Sequence, residues 1–147
     1  MTTLPEISDE QVRRACSDLG LRDWTAAVDL TVSSEEANAI LGAVGGEAGD
    51  VEIDYFRDGL QVELEHGSRF ADANVTNNHP VLTGKIVLAH LKESLLYYRR
   101  LLVAELEGDL LKATKERNAE NVRSVHERVL DARIALNHAE MEYLSRP

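Results

Sequence analysis

Val122-Arg-Ser-Val125-His-Glu-Arg-Val129-Leu-Asp-Ala132-Arg-Ile-Ala-Leu136-Asn-His-Ala139-Glu-Met-Glu-Tyr143 sets an apolar residue alternately three and four positions on, through three heptads. In a helix such positions fall on one side, while a strand would scatter them over both faces. The stretch therefore reads as a long helix with one narrow apolar seam. Its alanines permit a partner helix to come close, so Val122, Val125, Val129, Ala132, Leu136, Ala139 and Tyr143 form a candidate interface, within the chain or with a second copy.

Upstream, Leu88, Leu91, Leu95, Tyr98 and Leu102 step by three and four in the same way, but in a different heptad phase. After Leu82 there is no Pro until Pro147, and only Gly84 and Gly108 interrupt the helix formers. One unbroken helix over 80–145 would be a rod of about 100 Å at ~1.5 Å per residue. The phase break, together with Asn118 and Asn121, favours two helices folded back as an antiparallel hairpin.

The N-terminal part is built from shorter pieces. Ser8-Asp-Glu-Gln11 and Ser33-Ser-Glu-Glu36 both have capping-box spacing, predicting helices over 9–19 and from 34 to the Gly45-Gly46 pair. Residues 24–30 read as a short helix or turn, and 47–52 as a Gly-rich acidic link. Ile53, Phe56, Leu60 and Leu64 recur at helical spacing up to Gly67, which is expected to end that helix. Residues 68–79, with Asn74, Thr76, Asn77 and Asn78, read as a loop, His79 as a capping residue and Pro80 as the first residue of the next helix. The fold class is mainly α, with an acidic helical part over 1–79 followed by a hairpin or rod over 80–147.

Composition bounds the function. The chain has 147 residues and a net charge of −10. Residues 1–66 hold 15 acidic and 4 basic side chains, whereas 67–147 hold 11 and 12. Phosphate binding needs a clustered Lys/Arg face, so direct nucleic-acid contact is not expected. No apolar run reaches the ~20 residues of a membrane-spanning helix, and Met1-Thr-Thr-Leu-Pro-Glu lacks signal-peptide character. Cys16 is the single cysteine and reads as a small buried apolar residue. The acidic N-terminal half reads chiefly as a solvated surface, and secondarily as a face for a basic partner.

Two helical pairs carry possible chemistry: Glu63 with His66, and His90 with Glu93. Three residues apart on a helix, each pair shares a side, so two crossing helices would offer two carboxylates and two imidazoles to one ion. That donor set suits zinc, iron or manganese rather than calcium. The same groups hydrogen-bonded to one another across the crossing would need no metal. Gly59, on the same stripe, would let the helices approach. No nucleophile, oxyanion device or cofactor loop accompanies the carboxylates, so neither enzymatic activity nor a cofactor is expected. The Tyr97-Tyr98-Arg99-Arg100 cluster reads as inward tyrosines with solvated arginines, or as a docking surface.

Phe56-Arg-Asp-Gly59, Glu63-Leu-Glu-His-Gly67, Asn74-Val-Thr76, Thr83-Gly-Lys-Ile86, Ala89-His-Leu91 with Glu93, Tyr97-Tyr98 and Leu101 together resemble an uncharacterised family of small proteins and domains encoded by tailed bacteriophages. The resemblance covers about 53–105. At Ser94-Leu95-Leu96 the family more often has a Pro and an Asp before the paired Tyr, and without that Pro the helix is expected to run on. The resemblance implies a phage context: a minor virion component or assembly factor, in the bacterial host cytoplasm or the virion, whose partners are itself or virion proteins. The metal-binding reading and an acidic host-takeover protein that blocks a bacterial partner are the alternatives.

Overall fold

The computed structural model of the chain describes residues 6–45 and 51–147, so most of the 47–52 link lies outside the described residues. Among the described residues there are six α-helices and no strand: α1 (Asp9–Asp18), α2 (Ser34–Val44), α3 (Ile53–Arg69), α4 (Pro80–Glu93), α5 (Tyr97–Lys115) and α6 (Ala119–Ser145). The mainly α class holds. The helices form two compact units, Met1–Leu95 and Leu96–Pro147. The division falls later than the 79/80 boundary drawn from sequence, because α4 packs with α2 and α3 in the first unit.

In the first unit both capping boxes form: the Ser8 and Ser33 hydroxyls accept from the backbone N–H of Gln11 and Glu36, whose side chains reach back to the N-cap backbone. A single 3₁₀ turn, Trp24–Ala26, occupies the region read as a short helix or turn. Trp24 is 1% exposed, and Val12, Cys16, Ala37, Ile40, Phe56, Leu60 and Leu64 of the same unit are also buried. Each large side chain fully buried there stabilises the fold by about 1.5–3 kcal/mol. Burial pushes the Cys16 thiol up from its ordinary value, in keeping with a residue that packs rather than reacts.

Glu36 ties this core to the surface. Its carboxylate accepts from the Trp24 indole N–H at 3.2 Å, from Arg22 Nε at 2.9 Å and from the Ser33 backbone N–H at 3.0 Å. Burial by itself would raise its pKa; the donated hydrogen bonds from Ser33, Trp24 and Arg22 outweigh it and hold the carboxyl below its usual range.

Three expectations need correction. Gly67 does not end α3, which continues to Arg69; the glycine instead makes room for the following loop, since a Cβ there would meet Asn78 Oδ1 at 2.1 Å and Asn74 Nδ2 at 2.8 Å. His79 occupies the N-cap of α4 without a side-chain cap, and its backbone carbonyl accepts from the Thr83 N–H. The helix does not run on through Ser94-Leu95-Leu96 either: Ser94 is extended (φ −154°, ψ 122°) and ends α4 at Glu93.

In the second unit, α5 and α6 pack along their length. The ion pairs Arg100–Glu140, at 2.7 Å, and Glu107–Arg133 join early α5 to late α6 and later α5 to earlier α6, so the two helices run antiparallel. Arg117, in the left-handed region at φ +55°, makes the turn. Its N–H donates to the Thr114 carbonyl and the Asn118 N–H to that of Ala113, the paired bonds of a Schellman motif. Asn118 then caps α6 through Asn121. Val125, Val129 and Ala132 bury against Leu106, with Val103 and Leu110 partly buried round them.

Candidate functional site

The four Glu/His residues lie on α3 and α4, and between the two helices His90 Nε2 is 3.9 Å from Glu63 Oε1. Both are half-buried, as is His66, while Glu93 is exposed at the end of α4. Among the described residues no three His, Cys, Asp or Glu side chains are grouped so as to hold a metal ion. A zinc, iron or manganese site uses three or more protein ligands as a rule. Glu63 and His90 thus make a carboxylate–imidazole contact between α3 and α4. Gly59 is buried on α3, and a tight approach is seen at Gly84, where a Cβ would lie 2.7 Å from Ile40 Cγ2 and 2.8 Å from Val44 Cγ2.

The α6 seam residues have a different fate. Val125, Val129, Ala132 and Ala139 are buried, Val122 and Leu136 half-buried, and Tyr143 is 55% exposed. Of the four buried ones, Val125, Val129 and Ala132 share a core cluster with Leu106 of α5. In the tyrosine–arginine cluster Tyr98 is buried, edge-on to Tyr97 at 5.1 Å, and Arg99 and Arg100 are exposed.

One concave feature was not foreseen. A cleft of about 650 Å³ opens between the start of α1 and the loop after α3, lined by Glu6, Asp9 and Asp72 together with Asn74, Val75 and Asn77. The loop is held by its own side chains: Asn74 Nδ2 donates to the Gly67 carbonyl at 3.1 Å and to Asn78 Oδ1 at 2.9 Å, and Thr76 Oγ1 donates to Asn74 Oδ1 at 3.2 Å. Asn77, at φ +47°, donates to the Ile7 carbonyl and to Asp9 Oδ1, pinning the loop to the N-terminal segment. Left-handed backbone is tolerated best by Gly, Asn and Asp, which accounts for Asn at 77 and 78. Gly67, Asn74 and Thr76 are therefore residues that build this loop.

The first class the structure defines is a small all-α protein with an acidic, multi-helix unit and a two-helix hairpin. More particularly, the chain belongs to the family described as "Protein of unknown function (DUF5661)", whose model matches residues 12–107. The match takes in the first unit from α1 onward and ends inside α5. No curated protein and no solved structure matches the chain.

Proposed function

We propose that the chain is a non-enzymatic docking protein, a structural or assembly component of a phage, that works through protein–protein association of its C-terminal hairpin. The observation that carries this reading is the apolar face that α6 exposes after packing on α5: Leu130, Ile134, Met141 and Leu144 are 44%, 57%, 70% and 81% exposed. Apolar patches on a helix surface mark association sites when they are contiguous. The phage context, and with it the host cytoplasm or virion as location, is supported by the resemblance of the islands between residues 53 and 105. No helix among the described residues is long and apolar enough to cross a membrane.

The test is native mass spectrometry of the full chain over a range of concentrations, with and without chelator. Concentration-dependent association without metal is the expected result. A chain that stays monomeric and carries one or two zinc, iron or manganese ions, released by chelator, would refute the reading and restore Glu63, His66, His90 and Glu93 as a functional site.

A second reading is favoured by the cleft. Three carboxylates with no Lys or Arg among the lining residues fit a basic segment of a bacterial partner, as a host-blocking protein would require. Its signature is a captured basic partner released as salt rises.

A further inference from the structure

Resting on the docking reading, we propose that the hairpin pairs with a second copy of itself, α6 against α6 antiparallel, through the face formed by Leu130, Ile134, Met141 and Leu144. These side chains are 44%, 57%, 70% and 81% exposed. At ~100° per residue they fall within an arc of about 80°, centred about 100° from Val129, which packs against α5. Their spacing of four, seven and three residues is a heptad seam in its own right, distinct from the one buried within the chain. Asn137 fills the missing heptad position.

Charge selects the occupant. Residues 96–147 hold 9 basic and 9 acidic side chains, while the whole chain carries −10, so the net negative charge resides in residues 1–95. Two like-charged acidic units repel, and the neutral hairpin is where two copies can meet. When one α6 is laid antiparallel on another with Ile134 opposite Asn137, Met141 lies opposite Leu130. The flanking positions then bring Arg133 against Glu140 on one edge, and Asp131 against His138 on the other. Each contact occurs twice, as a two-fold axis demands. A parallel pairing would instead set Arg133 against His138 and Glu140 against Ser145, without the two Arg133–Glu140 contacts.

Arg133 and Glu140 already lie on the edge between the two seams, where they pair with Glu107 and Arg100 of the same chain. In the dimer they become the centre of a chain of alternating charges, Glu107, Arg133, Glu140 and Arg100, running from one hairpin into the other. Networks of this kind hold register better than isolated surface pairs.

Sedimentation velocity of the full chain from low to high micromolar concentration tests the proposal, with circular dichroism confirming helicity of each variant. The native chain is expected to form a dimer, and Ile134→Glu with Met141→Glu to abolish it, because neither residue belongs to the α5-facing seam. Arg133→Glu and Glu140→Arg are each expected to weaken dimerisation at least tenfold, and their equimolar mixture to restore it as a heterodimer. A native monomer at every concentration, a dimer insensitive to Ile134→Glu/Met141→Glu, or a mixture that stays monomeric would overturn it. An oligomer that survives the stripe variants refutes this face while leaving assembly intact. A chain that is monomeric yet captured by another virion protein refutes self-pairing and leaves docking intact.

Discussion

Gly84 and Gly108 both sit inside helices, yet replacing each with alanine is expected to move stability in opposite directions. Alanine gains about 0.8–1.0 kcal/mol over glycine in a helix interior. At Gly108 nothing lies within 4 Å of the added Cβ, so Gly108→Ala should stabilise the hairpin by about that amount. At Gly84 the Cβ would approach Ile40 Cγ2 to 2.7 Å, Val44 Cγ2 to 2.8 Å and Phe56 Cζ to 3.4 Å. The first two distances lie well inside van der Waals contact, and Ile40 and Phe56 are fully buried with no room to yield. Overpacking of this sort costs about 1–3 kcal/mol, leaving a net loss of up to about 2 kcal/mol after the helical gain. Urea titration separates the two units: fluorescence of Trp24, the single tryptophan, follows the first, and circular dichroism at 222 nm follows all helices. A rise in the Trp24 midpoint for Gly84→Ala would refute the close-packing argument.

Glu36→Ala leaves the buried Trp24 N–H without its acceptor and removes a capping box, and should cost about 2–3 kcal/mol, against less than about 0.5 kcal/mol for the exposed Glu35→Ala; urea midpoints give the comparison. Because the Glu36 pKa is lowered in the fold, its contribution is present above the unfolded value near ~4.3 and fades as pH falls through the folded value. Native and Glu36→Gln stabilities should therefore converge in acid. His79 is held below its ordinary value by burial, so the folded form binds its proton less readily than the unfolded one. Stability from this source is complete above about pH 6.5 and is lost on acidification; His79→Gln should flatten the slope of thermal midpoint against pH between 7 and 5. Arg117→Gly relieves a non-glycine left-handed residue and should stabilise the hairpin by about 1 kcal/mol, seen at 222 nm.

What could be read from the sequence was what is local and periodic. Ser8-x-x-Gln11 and Ser33-x-x-Glu36 mark helix starts because a capping box is complete within four residues. The Val125, Val129 and Ala132 spacing reports a buried face because burial repeats with the helix. The break at Ser94 stayed hidden for the converse reason: Leu91, Leu95 and Tyr98 keep the heptad phase across it, so the period carries no sign that the backbone turns extended. Gly67 looked like a stop signal, but its role is set by Asn74 and Asn78, side chains outside its helix. The cleft was invisible because Asn77 is joined to Ile7 and Asp9 by contacts spanning 70 and 68 residues. For the Glu/His residues, helical spacing puts Glu63 with His66 and His90 with Glu93, but it cannot supply the crossing of α3 and α4 that brings His90 Nε2 to 3.9 Å from Glu63 Oε1.

The antiparallel hairpin also has a history within each round of synthesis. Chain growth proceeds from the N-terminus, so Val103, Leu106 and Leu110 are made before their packing partners Val125, Val129 and Ala132. At ~5–20 residues per second, some twenty residues of delay leave the α5 face uncovered for roughly 1–4 s. The family-matched segment, ending at residue 107, is by then complete. A nascent chain stalled there would present an apolar helix with no mate, and chaperones or neighbouring nascent copies would compete with α6 for it. The compact Schellman turn at 116–118 shortens that interval as far as topology allows, by starting α6 directly against the end of α5.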